Sequence, residues 1–187
     1  RGSLRQTIGY AVSRDGGTIW QQGSEIITSP FPIREVEESV GTAQPAAFVE
    51  NNEIYLFYFE DGQLGQIRPP FESVYNFFGA AIAKAPLSSN GLPGSWRKFY
   101  QGGFTEAGLG GRFTSILPGW DHVFSVGKNS LFAAFGTQYY EMSSFNSRAV
   151  IRFSDTLTSW DQSSFIPLTT PQIPARWPTG YEIAPAK

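Results

Sequence analysis

The chain has one histidine and no cysteine. The histidine, His122, stands in Gly119-Trp120-Asp121-His122. Asp121 there is either a ligand-contacting or catalytic carboxylate or a turn residue beside Gly119. His122 is either a site residue or a hydrogen-bonded structural one. A second carboxylate, Glu182, lies in Tyr181-Glu182-Ile183-Ala184-Pro185, close to an end of the chain where residues are often just solvated. Glu106 and Arg112 fall in the glycine-rich segment 101–114, read as a mobile connection. It lacks the Gly-Lys-Ser/Thr that grips phosphate. With no cysteine, disulfides and thiolate metal sites are excluded.

The elements that must position these groups are written in repeats. A small-residue strand followed by a turn and a Trp occurs three times: residues 9–20 ending at Trp20, 78–96 ending at Trp96, and 148–160 ending at Trp160. Repetition of strands and turns on this scale points to propeller blades. In the first copy Ser13-Arg14-Asp15-Gly16-Gly17-Thr18-Ile19-Trp20 is similar to the Asp-box of sialidase-type propellers, with Ile19 where that motif has Thr. By that likeness Asp15 accepts backbone N–H bonds and Trp20 packs between strands, both structural roles.

Composition agrees with short strands and turns. Of 187 residues 16% are aromatic, with 20 Gly and 13 Pro, and 41% are hydrophobic against 16% charged. A net charge of −2 without a Lys/Arg cluster argues against nucleic acid. No apolar run reaches the roughly 20 residues that span a bilayer, so no membrane partner is expected. The chain begins Arg1-Gly2-Ser3 without Met, so its start is silent about export; the compartment stays open, secreted or periplasmic included.

The clearest strand pair joins 46–50 to 53–59 across Asn51-Asn52, a hairpin signal, and the second strand is apolar enough to be buried on both faces. Residues 123–129 and 130–136 repeat it. Laid on the first hairpin, Asn129 falls on Asn52, Leu131 on Ile54, Phe132 on Tyr55 and Asp121 on Gln44. The expected division is a partial blade with its connection over 1–40, blades over 41–112 and 113–170, and the start of another over 171–187. Two and a fraction blades cannot close a ring. The expectation is a homodimer that completes the propeller, or a piece of a longer one.

Gln44-Pro45, the run 54–59, the segment 79–85 with Gly94-Ser95-Trp96, and Ser154-Asp155-Thr156-Leu157-Thr158-Ser159-Trp160 together resemble the five-bladed propeller glycosidases. These are arabinan- and xylan-trimming furanosidases and their fructan-processing relatives. The resemblance implies carboxylates from different blades around a central funnel, set about 6.5–9.5 Å apart for inversion. It makes Asp121 and Glu182 the catalytic pair, Glu182 standing in a sequence similar to the family's Glu-small-Pro motif. Gln44 occupies the place of the family's Asp. His122 would face a central metal ion or water, no other cofactor being implied. By their chemistry Trp120, Tyr139, Tyr140 and Trp177 either offer rigid faces for sugar stacking or pack in the core, and Arg112 either reaches a ligand or belongs to a plain linker.

The expected fold is therefore all-β, made of propeller blades in an incomplete ring. The expected function is carbohydrate-active and glycoside hydrolase-like, acting on furanosides or related sugars. The alternative is a non-catalytic binding or assembly module, as Gln44 hints.

Overall fold

A computed structural model describes residues 5–30, 40–61, 78–118, 122–128, 139–145, 148–161 and 163–168. Among them the protein is all-β. The strands are β1 (Arg5–Gln6), β2 (Ile8–Val12), β3 (Gln21–Ile27), β4 (Val40–Glu50), β5 (Glu53–Asp61), β6 (Phe78–Pro86), β7 (Arg97–Tyr100), β8 (Gly103–Ala107), β9 (Leu117–Pro118), β10 (His122–Lys128), β11 (Tyr139–Phe145), β12 (Arg148–Ser154) and β13 (Ile166–Pro167). They form three sheets, none closed on itself: β2-β3, then β1-β4-β5-β6-β7-β8 with β9 beside β6, then β10-β11-β12-β13. All pairs are antiparallel except β1 with β4.

The β4–β5 hairpin turns at Asn51 and Asn52, both left-handed (φ 50° and 62°), a conformation asparagine tolerates better than most residues. The apolar run that follows is buried on both faces, and its alternation sorts it between two cores. Leu56 and Tyr58, with Ala81, Ala83 and Ala85 of β6, pack toward Ile8, Ile26 and Ile27 of the β2-β3 sheet. Phe57, with Ala80 and Ile82, packs toward Val126 and Tyr139 of the last sheet. Cross-strand partners share a face, as Phe57 with Ile82 and Tyr58 with Ala81. The middle sheet is thus clamped between its two neighbours, and each removes from water what the other leaves bare.

The three tryptophan turns share one device. Each indole N–H donates to a carbonyl of its own turn: Trp20 to Gly17 (2.9 Å), Trp96 to Gly91 (2.8 Å) and Trp160 to Leu157 (3.0 Å). With its one polar atom satisfied locally, the ring is free to pack as an apolar body. Trp96 is buried in the core facing β3, and Trp160 stands edge-on to Phe57 of the middle sheet, centroids 6.3 Å apart. Asp15 holds its turn as expected, its Oδ1 accepting from the N–H groups of Thr18 (3.0 Å) and Ile19 (2.9 Å). Trp20 departs from expectation: among the described residues no strand covers it, and it is 62% exposed.

One other expectation needs correction. Segment 101–114 is not merely a connection, because β8 folds back on β7 around Gln101 and Gly102. The loop beyond it is pressed against the core. A Cβ on Gly108 would lie 2.6 Å from the Ile26 carbonyl oxygen and 2.7 Å from Trp96 Cβ, so only glycine fits. In the last sheet, the antiparallel partner of Lys128 is Tyr139, and the expected hairpin strand 130–136 lies outside the described residues. Tyr139 wins that place by packing against Phe48 and bonding Glu50, contacts the local hairpin pattern cannot express.

Candidate functional site

Of the residues singled out from sequence, Gln44 within β4 and the backbone of His122 at the start of β10 lie on strands of two neighbouring sheets. The far ends of these strands are tied together. Glu50 takes an ion pair from Lys128 through Oε1 and a hydrogen bond from the Tyr139 hydroxyl through Oε2 (2.8 Å). Lys128 holds the Glu50 carboxyl below the usual carboxylate range, with Tyr139 assisting. Burial, then the neighbouring Glu50, push the Tyr139 phenol up to about 12. Going back along each strand from this bridge reaches Gln44 on β4 and His122 on β10, so the fold sets these two at the same end of adjacent strands.

Both strands are irregular there. On β4 two residues, Gln44 and Pro45, oppose the single residue Tyr58, giving a bulge between Ala43 and Ala46. Pro45 has no N–H to give the ladder, which fixes where the pairing breaks. Gln44 is exposed and left-handed, with φ 55°, a strained state for a residue with a Cβ. On β10 the register slips between Val123 and Ser125, and His122 pairs through its backbone with Ser144. Bulges re-aim side chains and concentrate beside sites.

Under this end of the middle sheet lies a fully buried charge pair. Lys98 Nζ donates to Glu60 Oε2 (3.3 Å), the Thr28 carbonyl (2.7 Å) and the Gly111 carbonyl (3.0 Å), and both charged side chains are 0% exposed. Burial holds the Lys98 ammonium below its ordinary range, opposed by Glu60. Glu60 is the register partner of Thr42, whose hydroxyl donates to the Ile27 carbonyl (3.1 Å). Tyr58, opposite the bulge, is wholly buried, and its hydroxyl finds no hydrogen-bond partner among the described residues. Burial pushes that phenol well above its usual range. The last sheet has its own pair: Arg152 donates to Glu141 Oε1 (2.7 Å) and to the Ser143 hydroxyl (2.7 Å), all buried.

Chemically, Glu50, Glu60, Glu106 and Glu141 each have a cation against them and serve as acceptors that join strands. Asp15 and Asp161 cap turns. Arg112 is held away from Gln44. It donates through Nε to Glu106 (2.9 Å) and lies over the Tyr100 ring at 4.4 Å, at the outer edge of the middle sheet, with β5 and β6 between it and β4. Tyr139, a sequence candidate for sugar stacking, is instead buried at the Glu50 bridge. Asp121, Trp120, Trp177 and Glu182 lie outside the described residues, as does the His122 side chain. No three His, Cys, Asp or Glu side chains converge on a metal position among the described residues.

The buried pairs were missed in sequence. Glu60 closing an aromatic run, and Arg152 inside an apolar strand, were the available signals. No family model matches this chain, and no curated protein matches it.

Proposed function

We propose that the sheets are blades of a propeller of the five-bladed glycosidase kind, and that the protein is carbohydrate-active. The observation that carries this reading is the paired irregularity of β4 and β10, whose registers break beside Gln44 and just after His122. In the proposed site Asp121 and Glu182 are the carboxylates, His122 and Gln44 position the sugar, and Trp120 and Trp177 supply its stacking faces. Arg112, engaged with Glu106 and Tyr100, is left out of it. The substrates are furanosides or related polysaccharide sugars.

Gln44 itself favours a second reading, a sugar-binding module. Its amide both donates and accepts hydrogen bonds to hydroxyls but cannot take a proton. A panel of furanose oligosaccharides, assayed for hydrolysis and by calorimetry, separates the two. Asp121→Ala lowers turnover by about 10²–10⁴-fold in an enzyme and lowers only affinity in a binder. Neither hydrolysis nor binding across the panel would refute both.

A further inference from the structure

Two tryptophan turns show how one sheet docks on another. The ring of Trp96, beyond β6 of the middle sheet, packs in the core built on Ile26 and Ile27 of the preceding sheet. Trp160, beyond β12 of the last sheet, rests on Phe57, whose cross-strand partner is Ile82, on the face of the middle sheet turned toward it. In both cases the rule is the same: the tryptophan turn, after β6 in one sheet and β12 in the other, seats on the apolar face of the sheet before it.

Trp20 is built for the same seat, and no sheet among the described residues supplies one. Its turn is pre-shaped by Asp15 and Ser13, its indole N–H is satisfied by Gly17, and the ring and Ile19 beside it are 62% and 67% exposed. A rigid aromatic body without polar demands loses little entropy on docking and is the type of side chain that dominates interfaces. At the other end of the stack stands a face like the one that receives Trp160. Glu141, Ser143, Val150 and Arg152 are buried on the inner face, so alternation puts the half-buried Met142 and Ile151 on the other face, in register with Ile166. Ile166 is 56% exposed and Leu168, just beyond it, 47%.

We infer that Trp20 and Ile19 dock on the Met142–Ile151–Ile166 face of a second copy of this chain, which returns its own Trp20 to the first. The inference rests on the reading of the sheets as blades above, not on their number in one ring. The contact is head-to-tail, made twice about a two-fold axis, so two chains, each with three sheets among the described residues, close one ring of six. It continues the interface that the molecule already uses between its own sheets, which is why the occupant is another copy and not an unrelated partner.

The test is light scattering on the full chain across the micromolar range, with Trp20→Asp and Ile166→Asp. Wild type is expected at twice the mass of one chain. Each variant is expected to weaken the dimer at least about 30-fold, the effect of deleting a central aromatic anchor. Both substituted residues are exposed, so far-ultraviolet dichroism and the melting transition should stay as in wild type. Mixing the two variants recovers part of the dimer, because the mixed pair keeps one intact contact of its two whereas each variant alone keeps none. A single-chain mass for wild type, an unaffected Trp20→Asp dimer, mass that keeps growing with concentration, or a mixture that dimerises less than either variant alone each overturns the proposal. Sugar affinity measured on the same variants keeps the two readings apart. A dimer blind to sugars leaves the interface standing, whereas a sugar-binding monomer leaves only the function.

Discussion

Lys98→Met offers the sharpest test of how the sheets are held together. The ammonium is fully buried and spends its three N–H donors on Glu60, Thr28 and Gly111, residues from β5, the end of β3 and the loop after β8. Methionine has similar length but takes the cation from a buried carboxylate and leaves two carbonyls without this donor. Removing one partner of a buried pair costs about 3–5 kcal/mol, mainly through the charge left behind. At roughly 2–4 °C per kcal/mol for a chain of this size, the melting temperature should fall by about 6–20 °C. Replacing both members, Lys98→Met with Glu60→Leu, should recover most of that loss, because an apolar pair of similar volume suits the site about as well. The assay is urea and thermal unfolding of wild type, both single variants and the double variant. A Lys98→Met protein within about 1 kcal/mol of wild type would refute the assignment of Lys98 as the clamp between the first two sheets. So would a double variant as weak as the sum of the singles.

Three further outcomes follow from particular side chains. Tyr58→Phe removes a buried hydroxyl that has no partner among the described residues, so stability should hold or rise by up to about 1 kcal/mol; a clear loss would reveal a hidden partner. Gln44→Gly should relieve a left-handed backbone and gain up to about 1 kcal/mol, whereas Gln44→Val should lose stability; the order of their urea midpoints decides it. The Tyr139 phenol has its folded pKa raised from 10.0 to about 12, so its contribution is present below pH 10 and is lost as pH rises through 12. Glu50, lowered from 4.5, contributes above that pH and loses its contribution as pH falls. Tyr139→Phe should therefore flatten the alkaline limb of the stability profile, and a limb identical to wild type would contradict the bridge.

The strands and turns were legible because their causes are local. Asn51-Asn52 forms a hairpin since asparagine accepts positive φ, and the run from Leu56 to Phe59 reads as doubly buried because nothing in it wants water. The tryptophan turns were found by repetition, and their hydrogen bonds close within five residues. The candidate site was read as a pairing of Gln44 with the Asp121-His122 region through the repeated hairpin, of which the structure describes Gln44 and the His122 backbone. Arg112 could not be placed that way, because Glu106 and Tyr100 reach it through the β7–β8 fold-back.

Sequence alone settled the strand-and-turn character of the chain, its repeated tryptophan turns and its one strongly apolar hairpin, since periods of two and turn chemistry act over a few residues. Tertiary structure decided which strand pairs with β10, which charges are buried and which tryptophan is left bare. Lys98 finds Thr28 across 70 residues of chain, and Tyr139 finds Glu50 across 89. Such partners are chosen by the stacking of one sheet on the next. Only when Phe57 and Tyr58 are sent to opposite cores does it become fixed which side of the sheet takes Trp96 and which takes Trp160, while Trp20 has no such seat among the described residues.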